Sequence, residues 1–185
     1  MAGVTRPAGG STTDEWTGQT EAVGDIGADG RPVLIHYDAV FDLASGEQVG
    51  QLDGFDESES WFLFSTAIAD ADGDGTMEIA TRGSLLDAAG ARVWEASGNW
   101  EDSYAVAVQA DTDELPEFLF IRDGWKLVDS DGTEINTVHL GASATDASPP
   151  VVADFDGDGE PEIATSSASS TDGPAPSSTN SQSPT

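Results

Sequence analysis

Thr66-Ala-Ile-Ala-Asp70-Ala-Asp72-Gly-Asp74-Gly-Thr76-Met-Glu78-Ile-Ala-Thr81 decides the reading of this chain, because Val151-Val-Ala-Asp154-Phe-Asp156-Gly-Asp158-Gly-Glu160-Pro-Glu162-Ile-Ala-Thr165 repeats its plan. A short apolar run leads into Asp-x-Asp-x-Asp-Gly, and Glu-Ile-Ala-Thr follows. Such similarity at a distance calls for a search for internal repeats before any fold is named. Two weaker copies then come into view. Val108-Gln-Ala-Asp111-Thr-Asp113-Glu-Leu-Pro-Glu117 reads as the same unit with its loop shortened by two residues. Ala22-Val-Gly-Asp25-Ile-Gly-Ala-Asp29-Gly30 reads as a copy without the second aspartate and the closing glutamate.

The leading aspartates fall at 25, 70, 111 and 154, a period in the low forties. A second landmark keeps step with them: Asp42, Asp87 and Asp129 follow the first three by 17, 17 and 18 residues. Each stands a few residues before a glycine and between apolar runs. Aspartate and glycine tolerate the left-handed backbone of tight hairpins, so each landmark marks a turn. The second unit offers strands at Trp61 to Ala69, Met77 to Thr81, Leu85 to Leu86 and Arg92 to Trp94. The third offers Tyr104 to Val108, Glu117 to Ile121, Trp125 to Val128 and Glu134 to Leu140. No stretch of ten residues keeps a helical period. The expected class is all-β, and the period fits blades of a β-propeller better than a helical solenoid. The expected array is incomplete, with about three four-stranded blades and part of a fourth, in units starting near 20, 61, 104 and 149. Residues 1–15 read as flexible and 166–185, rich in Ser, Thr and Pro, as a disordered tail, leaving 16–165 for the repeats.

Composition narrows the partners. The 185 residues carry 35 acidic against 6 basic side chains, a formal charge of -29. Such a surface repels phosphate and argues against nucleic acid. It suits divalent cations, or a chain kept soluble by its carboxylates. The 21 glycines and 9 prolines agree with many turns, and with no cysteine there is neither disulfide nor thiolate ligand. No run of about 18 apolar residues exists to span a membrane. The first ten residues lack the apolar core of a signal peptide.

In Asp-x-Asp-x-Asp-Gly the side chains at positions 1, 3 and 5 converge as the backbone curls, the glycine permits the turn, and position 7 adds a carbonyl. Asp70, Asp72 and Asp74, the Thr76 carbonyl and Glu78 should form one site. Asp154, Asp156 and Asp158, the Glu160 carbonyl and Glu162 should form another. Carboxylates packed so closely repel unless a cation neutralises them, and an all-oxygen shell selects calcium over magnesium or zinc. Two ions are expected, with a weaker third at Asp111, Asp113 and Glu117. Asp25 and Asp29 read as turn formers. An EF-hand is excluded twice: its position 12 is a glutamate where this chain has Thr81 and Thr165, and its flanks are helical.

These units resemble the FG-GAP/VCBS repeats of integrin-type propellers and of many secreted bacterial proteins. The resemblance covers roughly residues 20 to 165, and Ala-Asp-Phe-Asp-Gly-Asp-Gly-Glu-Pro-Glu-Ile carries most of it. It implies a structural calcium ion rather than a catalytic one.

No nucleophile elbow and no phosphate-binding loop appear. His36 and His139 lie in strand-like runs without partner motifs. Trp61, Trp94 and Trp125 fit core patterns, and Trp100 is the tryptophan expected at the surface. The leading expectation is therefore a non-enzymatic, calcium-binding scaffold or adhesion module. It would belong to an exported or cell-surface protein, where calcium near millimolar matches sites of roughly 10⁻⁴ to 10⁻³ M. Its ligand would be a protein or glycan, and further blades or another chain would meet its open edges. The alternative is a fragment of a propeller-type polysaccharide lyase or another carbohydrate-active enzyme.

Overall fold

A computed structural model describes residues 21–53, 65–139, 150–157 and 162–164. The segments 1–15 and 166–185, expected above to be flexible and disordered, together with Trp16, Trp61, Asp158 and Glu160, lie outside these residues. Fourteen strands and no helix occur among the described residues. They form four antiparallel sheets in which each strand pairs with the next in sequence.

The first sheet runs β1 (Ala22–Gly24), β2 (Val33–His36), β3 (Ala39–Asp42) and β4 (Gln48–Gln51). The second runs β5 (Thr66–Ala69), β6 (Glu78–Thr81), β7 (Ser84–Leu86) and β8 (Arg92–Glu95). The third runs β9 (Tyr104–Val108), β10 (Glu117–Ile121), β11 (Gly124–Val128) and β12 (Glu134–His139). Two strands follow, β13 (Val151–Ala153) and β14 (Glu162–Ala164).

The landmark aspartates close the hairpins between the third and fourth strands. Asp87 N–H donates to the Ala91 carbonyl at 2.8 Å, and Gly90 N–H returns a bond to the Asp87 carbonyl at 2.9 Å. Asp42 with Gly46 and Asp129 with Gly132 do the same.

Strand residues alternate faces, so a sheet inside the stack meets the sheet before it with one row and the sheet after it with the other. Ala22, Ile35 and Val40 are in register across the first sheet. They share a core with Ile68, Ile79 and Leu86, which are in register across the second. The opposite row of the second sheet, Ala67, Ala80 and Leu85, packs on Ala107, Phe118 and Val128 of the third. Leu119 and Leu127 on the far face of the third sheet meet Ile163 of β14. Each contact thus joins the trailing face of one sheet to the leading face of the next. Gly24 allows the first two sheets to approach, since a Cβ there would sit 3.1 Å from Ile68 Cδ1.

The outermost strands share one irregularity. Registers slip opposite Val49 on β4, Val93 on β8 and Ile135 on β12. These three side chains, 58%, 56% and 47% exposed, point to solvent.

Trp100 corrects the sequence expectation. It is buried, its Nε1–H donates to the Ser97 carbonyl at 3.1 Å, and Lys126 Nζ lies 5.7 Å from its ring centre. Lys126 is itself buried and pairs with Glu134, and its ammonium also meets Ser97 Oγ at 3.0 Å. Burying that charge is tolerable because both partners and the ring face meet it. His139 lies nearly parallel to Trp100, with ring centres 6.3 Å apart.

Candidate metal centre

Strand pairing sets the length of every acidic loop. Ala69 faces Glu78, Val108 faces Glu117, and Ala153 faces Glu162. In the first sheet Gly24 faces Val33. Eight residues therefore intervene in each unit, and the third loop is not shortened. Its first position is Gln109, so Asp111 and Asp113 occupy positions 3 and 5 and Glu117 occupies position 9. The hydrogen bonds agree. Asp74 N–H donates to Asp72 Oδ1 at 3.0 Å and Thr76 N–H to Asp74 Oδ1 at 2.7 Å. Asp113 N–H donates to Asp111 Oδ1 and Leu115 N–H to Asp113 Oδ1, both at 2.8 Å.

The closing glutamate makes one contact common to three loops. Its Oε2 accepts from the backbone N–H of position 2: Ala71 for Glu78, Ala110 for Glu117, and Phe155 for Glu162. Each glutamate starts a strand (β6, β10, β14), so its side chain enters the loop from a rigid base. All three are buried. The other oxygen of Glu117 and of Glu162, Oε1, is buried with no hydrogen-bond partner. A buried carboxylate oxygen left unpaired is costly, and a cation in the loop removes that cost.

Three sets of carboxylates converge: Asp70, Asp72 and Glu78; Asp111, Asp113 and Glu117; and Asp154, Asp156 and Glu162. Within each set one oxygen per residue lies within 4.8 Å of the others. Oxygens at calcium's usual 2.3–2.6 Å can stand up to roughly 5 Å apart across the ion, so the spread fits. Asp74 stands beside the first set, where its Oδ1 also accepts from Thr76 Oγ1 at 2.6 Å. The fourth loop's predicted ligands Asp158 and Glu160 lie outside the described residues.

The loop glycines are where the turn demands them. Gly73 and Gly75 have φ of 75° and 90°, and Gly157 has 82°. The first unit holds the same left-handed bend with Ala28 at φ 52°. There Asp25 accepts from Asp29 N–H and Gly30 N–H, and Asp29 accepts from Arg31 N–H. Val33 occupies the glutamate position, so these aspartates hold the turn and gather no third carboxylate.

A cavity of about 360 Å³ opens over the second loop, lined by Asp72, Asp74, Thr76, Asp87, Val93 and Ser130 among others. Ser130 comes from the third sheet, so the cavity bridges two sheets.

Burial pushes the carboxyls of Glu78 and Glu117 above their usual 4.5, and the neighbouring aspartates add to the rise. With the folded value above the unfolded one, ionisation destabilises the metal-free fold as pH rises past 4.5. Metal-depleted protein should therefore gain stability on acidification from about pH 7 to about pH 5, and Glu78→Gln with Glu117→Gln should flatten the gain. Calcium requires the ionised form and should reverse the slope. Melting midpoints against pH check this; a metal-free midpoint falling over that window contradicts it. Glu134 behaves oppposite in sign: Lys126 first, then Thr137 and Ser97, hold it down to about 2. Its contribution is present above 4.5 and is lost as pH falls toward 2.

No protein-family description matches the chain, and no curated protein does. Solved structures do. An exotype rhamnogalacturonan lyase, YesX, matches at TM-score 0.57 and 20% identity, over 83% of this chain and 29% of that one. The biofilm matrix protein Bap1 of V. cholerae matches at TM-score 0.54 and 23% identity, over 69% of this chain and 21% of that one. A rhamnogalacturonan lyase of Bacillus licheniformis matches at TM-score 0.49 and 19% identity, over 74% and 24%. The chain is therefore similar in fold to parts of YesX and Bap1, and it spans less than a third of each of the three proteins. The expectation of a non-enzymatic module is corrected here. A lyase shares the fold, so a stack of acidic-looped sheets gives no ground for excluding an enzyme.

Proposed function

We propose that the chain is a calcium-stabilised portion of a propeller-type carbohydrate-active protein, with rhamnogalacturonan or a similar acidic polysaccharide as its substrate class. The observation that carries the calcium half is the recurring closing glutamate, with one oxygen on a backbone N–H and the other, in two loops, buried without a partner. The carbohydrate half rests on fold similarity to a rhamnogalacturonan lyase and a biofilm matrix protein. In this reading the ions are structural. They hold the loops at one end of the strands, as in the FG-GAP/VCBS-type array that the repeats resemble. The opposite ends carry Arg82 on the β6–β7 turn and Arg122 on the β10–β11 turn. Arg82 Nε donates to the Glu101 carbonyl at 3.2 Å, while Arg122 lies 3.5 Å from Asp102 and donates to Asn99 Oδ1 at 2.9 Å. Both are only partly buried, so a uronate would compete for them with these surface partners. Lys126, the chain's only lysine, is committed to Glu134 and serves packing. An exported or cell-surface setting follows from the calcium demand.

The test is retention of the chain on immobilised rhamnogalacturonan in calcium and in chelator, with release of unsaturated product followed in parallel. Retention in calcium that Arg122→Ala weakens supports the reading. Neither retention nor product in either condition would sink it.

A further inference from the structure

The repeat shows how one sheet receives another, and among the described residues the two ends of the stack make no such contact. Val23, Leu34 and Phe41 are in register across β1, β2 and β3, on the face away from the second sheet. Counted from the loop, they stand where Ile68, Ile79 and Leu86 stand in the second sheet and Ala107, Phe118 and Val128 in the third. Both of those rows are packed on the trailing face of the preceding sheet. Val23, Leu34 and Phe41 belong to none of the described cores. Val23 is 60% exposed, and Leu34 and Phe41 are half-buried. At the other end, Val151 faces Ala164 on β13 and β14, in the place of Ala67 and Ala80. That pair is the trailing face of the last described strands; Val151 is 57% exposed and Ala164 is also exposed.

We propose that these two faces bind each other between two copies of the chain, head to tail. The occupant is a second copy because one chain carries both halves of a contact that it already makes internally, with the same types of side chain in the same register. An apolar leading row and an apolar trailing pair at opposite ends form a heterologous interface, which closes into a ring or extends according to the rotation between copies. Two copies bring eight sheets together, the upper end of the usual range for radial arrays of sheets, roughly four to eight. The formal charge of -29 on each copy opposes the contact, so it should tighten as salt screens the repulsion. The inference is independent of any carbohydrate ligand.

Sedimentation velocity of the full chain in calcium, from roughly 1 to 100 µM, tests it by mass action. The expected result is at least a doubling of mass with concentration, stronger at high salt. Leu34→Glu and Val151→Glu should each stay monomeric, with Val23→Lys as a second leading-face variant on the most exposed residue of the row. Circular dichroism checks that each variant is folded. The deciding step is mixing. Leu34→Glu keeps its trailing face and Val151→Glu its leading face, so the mixture should form a 1:1 complex that neither forms alone. A parent chain monomeric throughout overturns the proposal and leaves the leading face to a further sheet of a longer polypeptide. Self-association retained by Val151→Glu, or a mixture that stays monomeric, overturns it equally.

Discussion

In chelator the chain should melt about 10 °C or more below its midpoint in excess calcium, and Glu117→Gln should change sign between the two conditions. Calcium at about one hundred times its dissociation constant stabilises by about 2.7 kcal/mol per site. Two filled loops then contribute about 5 kcal/mol, and a chain of this size shifts by roughly 2–4 °C per kcal/mol. The crossing of Glu117→Gln is the sharper test. Without metal, the amide removes a buried charge from beside Asp111 and Asp113 and turns a donor toward them, so the variant should melt above the parent. In calcium it has lost an ionised ligand and should melt below it. A variant that shifts the same way in both conditions, or a parent indifferent to chelator, would remove the third loop or all the loops from the metal reading.

The second large effect belongs to the packing between sheets. Phe118 is fully buried between the second and third sheets, with its ring centre 5.9 Å from that of Trp94 and the planes at 63°. Phe118→Ala should cost about 3–5 kcal/mol through lost burial and the cavity left behind. Loss of the edge-to-face pair falls within that cost or adds about 1 kcal/mol. Trp94 is tied to the third sheet by its Nε1–H bond to the Ser130 carbonyl at 2.9 Å, so it cannot swing freely to refill the space. Val93→Ala, one residue along β8 but solvent-facing, should stay within about 0.5 kcal/mol of the parent. Denaturant titration of both variants measures the contrast. Equal effects would mean that the sheets do not owe their stacking to this cluster.

Much of the strand plan was legible because the hairpin aspartates and the alternation of apolar residues carry it locally. Asp87 with Gly90 and Asp129 with Gly132 turn where the sequence places them. The second and third loops were harder to align. Reading from the leading aspartate made Asp111 the equivalent of Asp70 and gave a loop two residues short. Counting eight residues back from Glu117 reaches Gln109, as counting back from Glu78 reaches Asp70. The glutamate is the better anchor because it begins a strand and bonds the loop's own backbone, whereas position 1 tolerates an amide: Gln109 Nε2 donates to the Asp113 carbonyl at 2.8 Å. Trp100 was misplaced for a different reason. Its neighbours Asn99 and Glu101 are polar, and its burial depends on Lys126 of β11 and His139 of β12, which lie 26 and 39 residues further along the chain. No local pattern reports such a contact. Nor could composition have spoken against an enzyme, since acidity describes the surface and catalysis depends on a few groups in one place.

The slipped registers at Val49, Val93 and Ile135 bear on how such a chain avoids clumping. Each lies on the last strand of its sheet, which pairs on one side only among the described residues. A straight edge of that kind is a template on which any stray strand can zip. A bulge bends the edge and raises its twist, so an incoming strand would lose pairing after two or three residues. The same kink occurs in all three complete sheets, at the same place relative to the hairpin. It makes the rim a poor template, while the flat faces at the ends of the stack stay receptive. Assembly is thereby steered along a single axis.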